Sequence, residues 1–432
     1  MRARSPFLGP SGPSAIYVPS PLGDRALTAY PFRLNELQGF WAVVPAGGAG
    51  TRLWPLSRES CPKFLLDLTL RGRSLIQATW DRLLPLASPG RMMVVTGRVH
   101  SEAVRDQLPD ILPSNLLAEP SPKESAAAIG LAAAVLARRD PEAILGSFAA
   151  DHMINGTDAF MSAVAEAVAT ARHDLLVTIG IAPSHPATGF GYIRLGDNLN
   201  IGDAPNARLV SQFKEKPDAR TAAAYLSTGN YRWNGGMFVV KARFLMDLLQ
   251  EYKPELAEGL EAIAAKWDDE ESRNKALDEV WSTLPKIAID NAVAEPAALA
   301  GKVAVVPATF GAYLLGAIHC HHCQLNRIGW DDVGDFSSLA DLLPAEVDQP
   351  RILGDSGLGV FSCPASELAT HSCLTVVTDQ SAGGIVVPAS GRLVACLGVD
   401  DLVVVDTADA LLITTRARSQ EVTMFSTLCN FL

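Results

Sequence analysis

The sequence predicts an α/β fold: a doubly wound, mostly parallel, Rossmann-like sheet, followed by a small C-terminal β-domain. Three observations predict it. From 41 to about 180, short apolar runs alternate with helical stretches, the pattern of right-handed βαβ units. The first apolar run, 41–44, leads straight into glycines at 47, 48 and 50, a turn placed where such sheets bind ligands. Beyond 344 the pattern changes to short Val/Gly-rich runs separated by turn signals.

Length and composition agree with this outline. A chain of 432 residues predicts two to three domains, and 48% hydrophobic with 19% charged residues supports a large core. A net charge of −11 argues against nucleic-acid binding as the main task. No apolar run reaches the ~20 residues of a membrane span, so no membrane partner is expected. The seven cysteines form no disulfide framework, which suits a reducing compartment, and the cytoplasm is the expected location. Residues 1–40, rich in Pro, Ser, Gly and Arg, read as a disordered leader.

The elements follow in order. Strands are expected at 91–96, 116–118, 143–148 and 175–181, and helices near 100–107, 124–139 and 158–172. Residues 241–285 read as helices with Trp267 and Trp281 as packing anchors. The catalytic unit is expected to span 41–343 and the β-rich domain 344–432, with tail strands at 374–378, 384–388, 392–397, 401–406 and 411–415.

Chemistry concentrates at 41–67, WAVVPAGGAGTRLWPLSRESCPKFLLD. Dense glycines let backbone N–H groups turn inward together as a nest for anionic oxygens. Arg52 adds a planar fork for phosphate and Lys63, behind Pro62, a point charge. A ligand-free turn would explain the glycines alone, but not the added cations. Neither the Walker A pattern nor the Gly-x-Gly-x-x-Gly spacing is present. Asp151 follows the strand expected at 143–148, where a carboxylate facing a phosphate loop suits Mg²⁺; a turn cap is the plainer alternative.

GGAGTRLWPLSRESCPK resembles the signature of the sugar-1-phosphate nucleotidyltransferases, specifically the mannose-1-phosphate guanylyltransferases. The resemblance covers roughly 41–340. It implies a nucleotide site formed by Ala46, Gly47, Gly48, Gly50, Thr51, Arg52, Lys63 and Glu119, with Arg52, Lys63 and Asp151 as the catalytic residues. In the family an Arg-Asn/Asp-Thr-Ala run lies near the base; here Lys123-Glu124-Ser125-Ala126 departs from it. Ser121 followed by Glu124 could equally be a capping box. Further motifs, TGFGYI, FKEKP, WNGGMF and IDNAVAE, imply a sugar-phosphate pocket of Gly191, Glu215, Lys216, Asn234 and Asp290. Asp332, in WDDVGDF, matches the family's second metal-binding Asp beside Asp151, and His152 reads as a supporting residue.

One interruption stands out. Residues 312–328, AYLLGAIHCHHCQLNRI, separate Gly311 from the motif that resumes at Gly329-Trp330. The crowded His and Cys residues do not have zinc-ligand spacing. A lengthened anchor upstream of Asp332 is expected to weaken Mg²⁺ binding more than folding. The resemblance thus implies transfer of a guanylyl group from GTP to mannose 1-phosphate, with Mg²⁺ as cofactor and a homo-oligomer allowed. Alternatives are another nucleotide and sugar, such as dTTP with glucose 1-phosphate, or a paralogue impaired by the insert. The resemblance also implies a left-handed β-helix in the tail.

Overall fold

The structure, a computed structural model, describes residues 37–48, 50–308, 329–343, 350–353, 376–379 and 381–425. The expected leader up to 36, the insert 312–328 and the start of the strand expected at 374 lie outside the described residues. Residues 37–40 do not belong to a leader: Leu37 and Phe40 are buried in the core.

In chain order the first strands are β1 (Phe40–Ala46), β2 (Met92–Gly97), β3 (Leu116–Glu119), β4 (Ile144–Ser147), β5 (Met153–Ile154) and β6 (Leu176–Ile181). They are joined by α1 (Leu75–Leu83), α2 (Ser101–Gln107), α3 (Ser125–Arg139) and α4 (Thr157–Ala171). Then come β7 (Tyr192–Asn198), β8 (Arg208–Lys214), α5 (Ala219–Thr228) and the long β9 (Tyr231–Lys241). Helices α6 (Ala242–Tyr252), α7 (Pro254–Ala264), α8 (Glu270–Val280) and α9 (Glu295–Leu299) precede β10 (Val303–Pro307).

Nine strands form one sheet in the order β3-β2-β1-β4-β9-β6-β10-β8-β7. The parallel character expected from the alternation holds across β3-β2-β1-β4 and for β6 with β10. β9 runs antiparallel between β4 and β6, and β7 and β8 add an antiparallel margin, so the sheet is mixed. Pro45 stays inside β1 rather than ending it, its carbonyl accepting from the Ala150 N–H at 3.1 Å.

Both faces are covered, which explains why the strands read as continuous apolar runs. Ala42 and Val44 enter one cluster with α1 and α4; Val43, between them, enters the other with α3, α6 and α7. Helix α3 is buried from Ala126 to Leu136, so its alanines are an adaptation to close packing rather than an amphipathic stripe. A Cβ on its Gly130 would stand 2.6 Å from Leu260, so the glycine admits the neighbouring helix. Trp267 and Trp281 are buried as expected of packing anchors.

The chain continues through β11 (Trp330–Asp331) and α10 (Phe336–Leu342) to β12 (Arg351–Ile352), β13 (Val376–Asp379), β14 (Ile385–Pro388), β15 (Val394–Leu397), β16 (Leu402–Asp406) and β17 (Leu411–Thr415). β12, β14 and β16 stack in parallel, and β13 stacks on β15. Register partners Ile385↔Val403 and Val376↔Val394 are each eighteen residues apart, one turn of a coiled β-domain. β17 closes the stack antiparallel.

Candidate active site

The carboxyl ends of β1, β2, β3 and β4 lie along one edge of the sheet, because those strands are parallel. β1 delivers Ala46 there, its carbonyl accepting from Thr96 Oγ1 at 2.8 Å. Gly47 and Gly48 are exposed, and Gly48 and Gly50 have left-handed φ of 84° and 64°. At Gly50 a Cβ would also stand 2.9 Å from Lys63 Cβ, so the position excludes a side chain twice over. Thr51 and Arg52 start a short 3₁₀ turn and are exposed, and Arg52 makes no ion pair among the described residues.

Lys63 draws three segments together. Its ammonium pairs with Asp151 Oδ2 at 2.8 Å and donates to the carbonyls of Asp332 at 2.7 Å and Val333 at 3.3 Å. Asp332 arrives because β11 pairs antiparallel with β5, placing Trp330 opposite Ile154 and Asp331 opposite Met153. Trp330 Nε1 donates to His152 Nδ1 at 3.4 Å, and the rings meet edge to face, which gives His152 the supporting place expected of it. Burial alone would raise the Asp151 carboxyl; the charges of Lys63 and His152 outweigh it and hold it below its usual value. Asp331 is the opposite case, pushed up to about 7 by burial and the neighbouring Asp332. Sequence reasoning missed Asp331 and Lys63's double grip. The first was legible only as a second Asp in WDD, the second not at all.

The residues expected on the sugar side form their own cluster. A Cβ at Gly191 would stand 2.4 Å from Glu215 Oε2, so the glycine lets that carboxylate lie against β7. Oε2 of Glu215 is buried without a partner among the described residues, while Oε1 pairs with Lys216 at 3.1 Å. Asn234 accepts from Thr178 Oγ1 at 2.8 Å and donates to Asp290 Oδ1 at 2.6 Å. One amide hydrogen of Asn234 is left over. Burial, then the Glu215 charge, pushes Asp290 up to about 6.

Glu119 ends β3 on the same sheet edge as the glycine loop, two strands away. Its Oε1 is buried without a partner among the described residues, and burial pushes its pKa up to about 7. The capping box does not form. Helix α3 begins at Ser125 after Glu124 in a φ of 66°, and Ser121 instead offers its carbonyl to Trp281 Nε1 at 2.7 Å. Lys123 is also engaged, donating to the carbonyls of Ser282 and Leu284. Among the described residues no three His, Cys, Asp or Glu gather as a ready metal cage.

A glycine loop at a strand end, a lysine joining two acidic loops and a separate polar cluster are an arrangement that suits a nucleotidyltransferase. Residues 41–349 match the nucleotidyl transferase family model, and the chain belongs to that family. Within it the chain stands with the mannose-1-phosphate guanylyltransferases. The enzyme of that name from Escherichia coli (strain K12) is 34% identical over 390 residues, covering 88% of this chain and 72% of that one. The xanthan biosynthesis protein XanB of Xanthomonas campestris pv. campestris is 34% identical over 382 residues, 88% of this chain and 71% of its own. A crystal structure from Thermus thermophilus, described as a mannose-1-phosphate geranyltransferase, superposes with a TM-score of 0.72 at 29% identity. It spans 91% of this chain and 100% of that one. Residues 376–424 match the MannoseP isomerase/GMP-like β-helix domain. No helix among the described residues is long and apolar enough to cross a membrane.

Proposed function

We propose that this chain makes GDP-mannose and pyrophosphate from GTP and mannose 1-phosphate. The observation that carries the reading is the Lys63 junction, which ties the glycine-loop segment to Asp151 and to the Asp332 loop. The relatives' shared name supports the choice of substrates. A phosphate oxygen of mannose 1-phosphate attacks the α-phosphorus of GTP, the α–β bridging P–O bond breaks, and its electrons leave with pyrophosphate. No protein nucleophile is required.

Each group of residues has a part in that displacement. Ala46, Gly47, Gly48, Gly50 and Thr51 present backbone to the triphosphate, and Arg52 neutralises the leaving pyrophosphate. Glu119 faces the base. Glu215 Oε2, unpartnered among the described residues, takes a sugar hydroxyl, with Gly191, Asn234 and Asp290 shaping the pocket and Lys216 meeting the sugar phosphate. Lys63 holds Asp151 and the Asp332 loop in mutual register and places positive charge beside the reacting phosphate. The hard oxygen donors at this junction, the Asp151 carboxylate and the Asp332 segment, fit Mg²⁺, which Asp151 and Asp332 would hold. Bound there, Mg²⁺ supplies charge neutralisation for the phosphate oxygens. The cytoplasm is the location that fits this activity.

Purified protein with Mg²⁺ is expected to release pyrophosphate only when both GTP and mannose 1-phosphate are present. Asp151→Asn is expected to fold normally and lose most of that activity, because it keeps the shape and removes a ligand charge. Equal turnover with dTTP and glucose 1-phosphate overturns the choice of nucleotide and sugar. Near-normal Mg²⁺-dependent activity of Asp151→Asn makes the carboxylate a turn cap.

A further inference from the structure

The C-terminal coil reaches both halves of the Lys63 junction. Behind the glycine loop, Leu53 is buried in a cluster with Val403, Val405 and Leu412 of the coil. Arg58 then makes a bidentate contact, both terminal nitrogens 2.8 Å from the two oxygens of Asp409, while its Nε donates to the Pro55 carbonyl at 3.1 Å. Arg58 is also the corner of the turn that leads to Lys63, since its backbone and that of Cys61 exchange hydrogen bonds at 2.9 and 3.0 Å. Two residues later Lys63 begins its own 3₁₀ turn.

On the other side, Asp335 caps α10 through Oδ1, accepting from the N–H groups of Ser337 and Ser338. Its second oxygen takes the side-chain amide of Gln420, from the segment after β17. Arg416 adds hydrogen bonds to the Ser337 carbonyl at 3.3 Å and an ion pair with Asp341 at 2.7 Å. Asp335 is three residues from Asp332, whose carbonyl holds Lys63. Val333 and Phe336 join the same buried cluster as the coil.

We propose that the C-terminal coil is a positioning element of the active site, acting through Asp409 on the Arg58 corner and through Gln420 and Arg416 on the helix start behind Asp332. The proposal rests on the guanylyltransferase reading for its rate assay, but not for its structural readout. Arg58 and Asp409 form a solvent-exposed pair, so their removal costs little stability and a rate effect is separable from unfolding. A displacement of ~1 Å at a catalytic group is enough to cost on the order of 100-fold in rate.

The test compares Asp409→Ala, Gln420→Ala and their double variant with the wild-type chain. The double variant is expected to lose about tenfold in kcat and to need more Mg²⁺ for half-maximal rate, with its melting temperature little changed. Exchanging the charges, Arg58→Asp with Asp409→Arg, is expected to recover most of the rate lost by Asp409→Ala. Hydrogen exchange is expected to quicken at 50–63 and 329–336 in the double variant, and to stay unchanged in β2, β3 and α3. Unchanged exchange at 50–63 and 329–336 overturns the proposal, as does a rate loss that follows a fall in melting temperature. A wild-type chain without transfer activity overturns the functional reading alone, and the exchange pattern then decides this one.

Discussion

Glu119 is a buried carboxylate with one oxygen unpartnered among the described residues, and burial moves it from an ordinary 4.5 up to about 7. A raised native value means that the folded chain binds the proton more tightly than the unfolded chain. The stability this confers is fully present below about 4.5 and is lost as pH rises through about 7. Asp290, raised to about 6, and Asp331, raised to about 7, act in the same direction; Asp151, held low, acts in the opposite one. Glu119→Gln removes one of these titrations. At about 1.4 kcal/mol per pKa unit, the ligand-free variant is expected to gain up to about 3 kcal/mol over wild type at pH 8 and to show almost no advantage at pH 4.5. Urea unfolding at the two pH values measures the difference. An equal advantage at both would show that the carboxylate does not titrate where its burial places it. If Glu119 meets the nucleotide as proposed, the same variant is expected to gain stability and to bind nucleotide more weakly.

Between elements, aromatic rings join the sugar loop to the acidic loop. His185 and Phe190, in the connection from β6 to β7, pack on Trp233 of β9 at ring separations of 5.0 and 5.1 Å. Phe190 also meets Trp330 of β11 at 5.2 Å, and Trp330 meets His152 at 5.3 Å. Phe190 thus links the β6–β7 connection to β11. Phe190→Leu keeps apolar volume but loses a tilted contact with Trp233 and an edge-to-face contact with Trp330, worth about 0.5–1.5 kcal/mol each. The expected result is a rise in both the KM for mannose 1-phosphate and the Mg²⁺ requirement, read from steady-state kinetics. A change in only one would mean that the two loops move independently. None of this chain of rings was legible in the sequence, because it depends on β5 and β11, two-residue strands too short to show any period. The longer strands were legible, β2 and β6 in particular, since burial on both faces makes each a continuous apolar run. The antiparallel course of β9 was not, because a strand's own residues do not encode the direction of its partners. The glycine loop and Asp151 could be placed because strand ends are predictable; the grip of Lys63 on the carbonyl of Asp332, far along the chain, could not.

Across the whole molecule, the third hydrophobic cluster takes Leu53, Leu75 and Phe336 from the catalytic part and Ile385, Val403 and Leu412 from the coil. The tail's repeated short strands were legible in the sequence, but their attachment to the active site was not, because it consists of side-chain contacts between distant segments. The same whole-chain view bears on the insert. The chain leaves the sheet at Ala308, buried and with its N–H on the Gly180 carbonyl at 2.8 Å. It is anchored again at Gly329, whose carbonyl accepts from Asn155 at 2.9 Å, one residue before the β5–β11 pairing. Asp332 is therefore fixed by local anchors: β5 on one side, Lys63 beneath it and the Asp335 cap behind it. These anchors bear on the expectation that a lengthened upstream connection loosens the loop, and removal of the insert tests it. Deleting 312–329 lets Gly311 take the place of Gly329 before Trp330 and shortens a connection whose closure costs about 0.6 kcal/mol per doubling of length. The variant is expected to melt at the same temperature or slightly higher and to reach half-maximal rate at an unchanged Mg²⁺ concentration. A lower Mg²⁺ requirement would mean that the insert strains the Asp332 loop and would favour an impaired enzyme. An inactive or unfolded variant would make 312–328 part of that loop's support, and the local anchors would then be insufficient to hold Asp332.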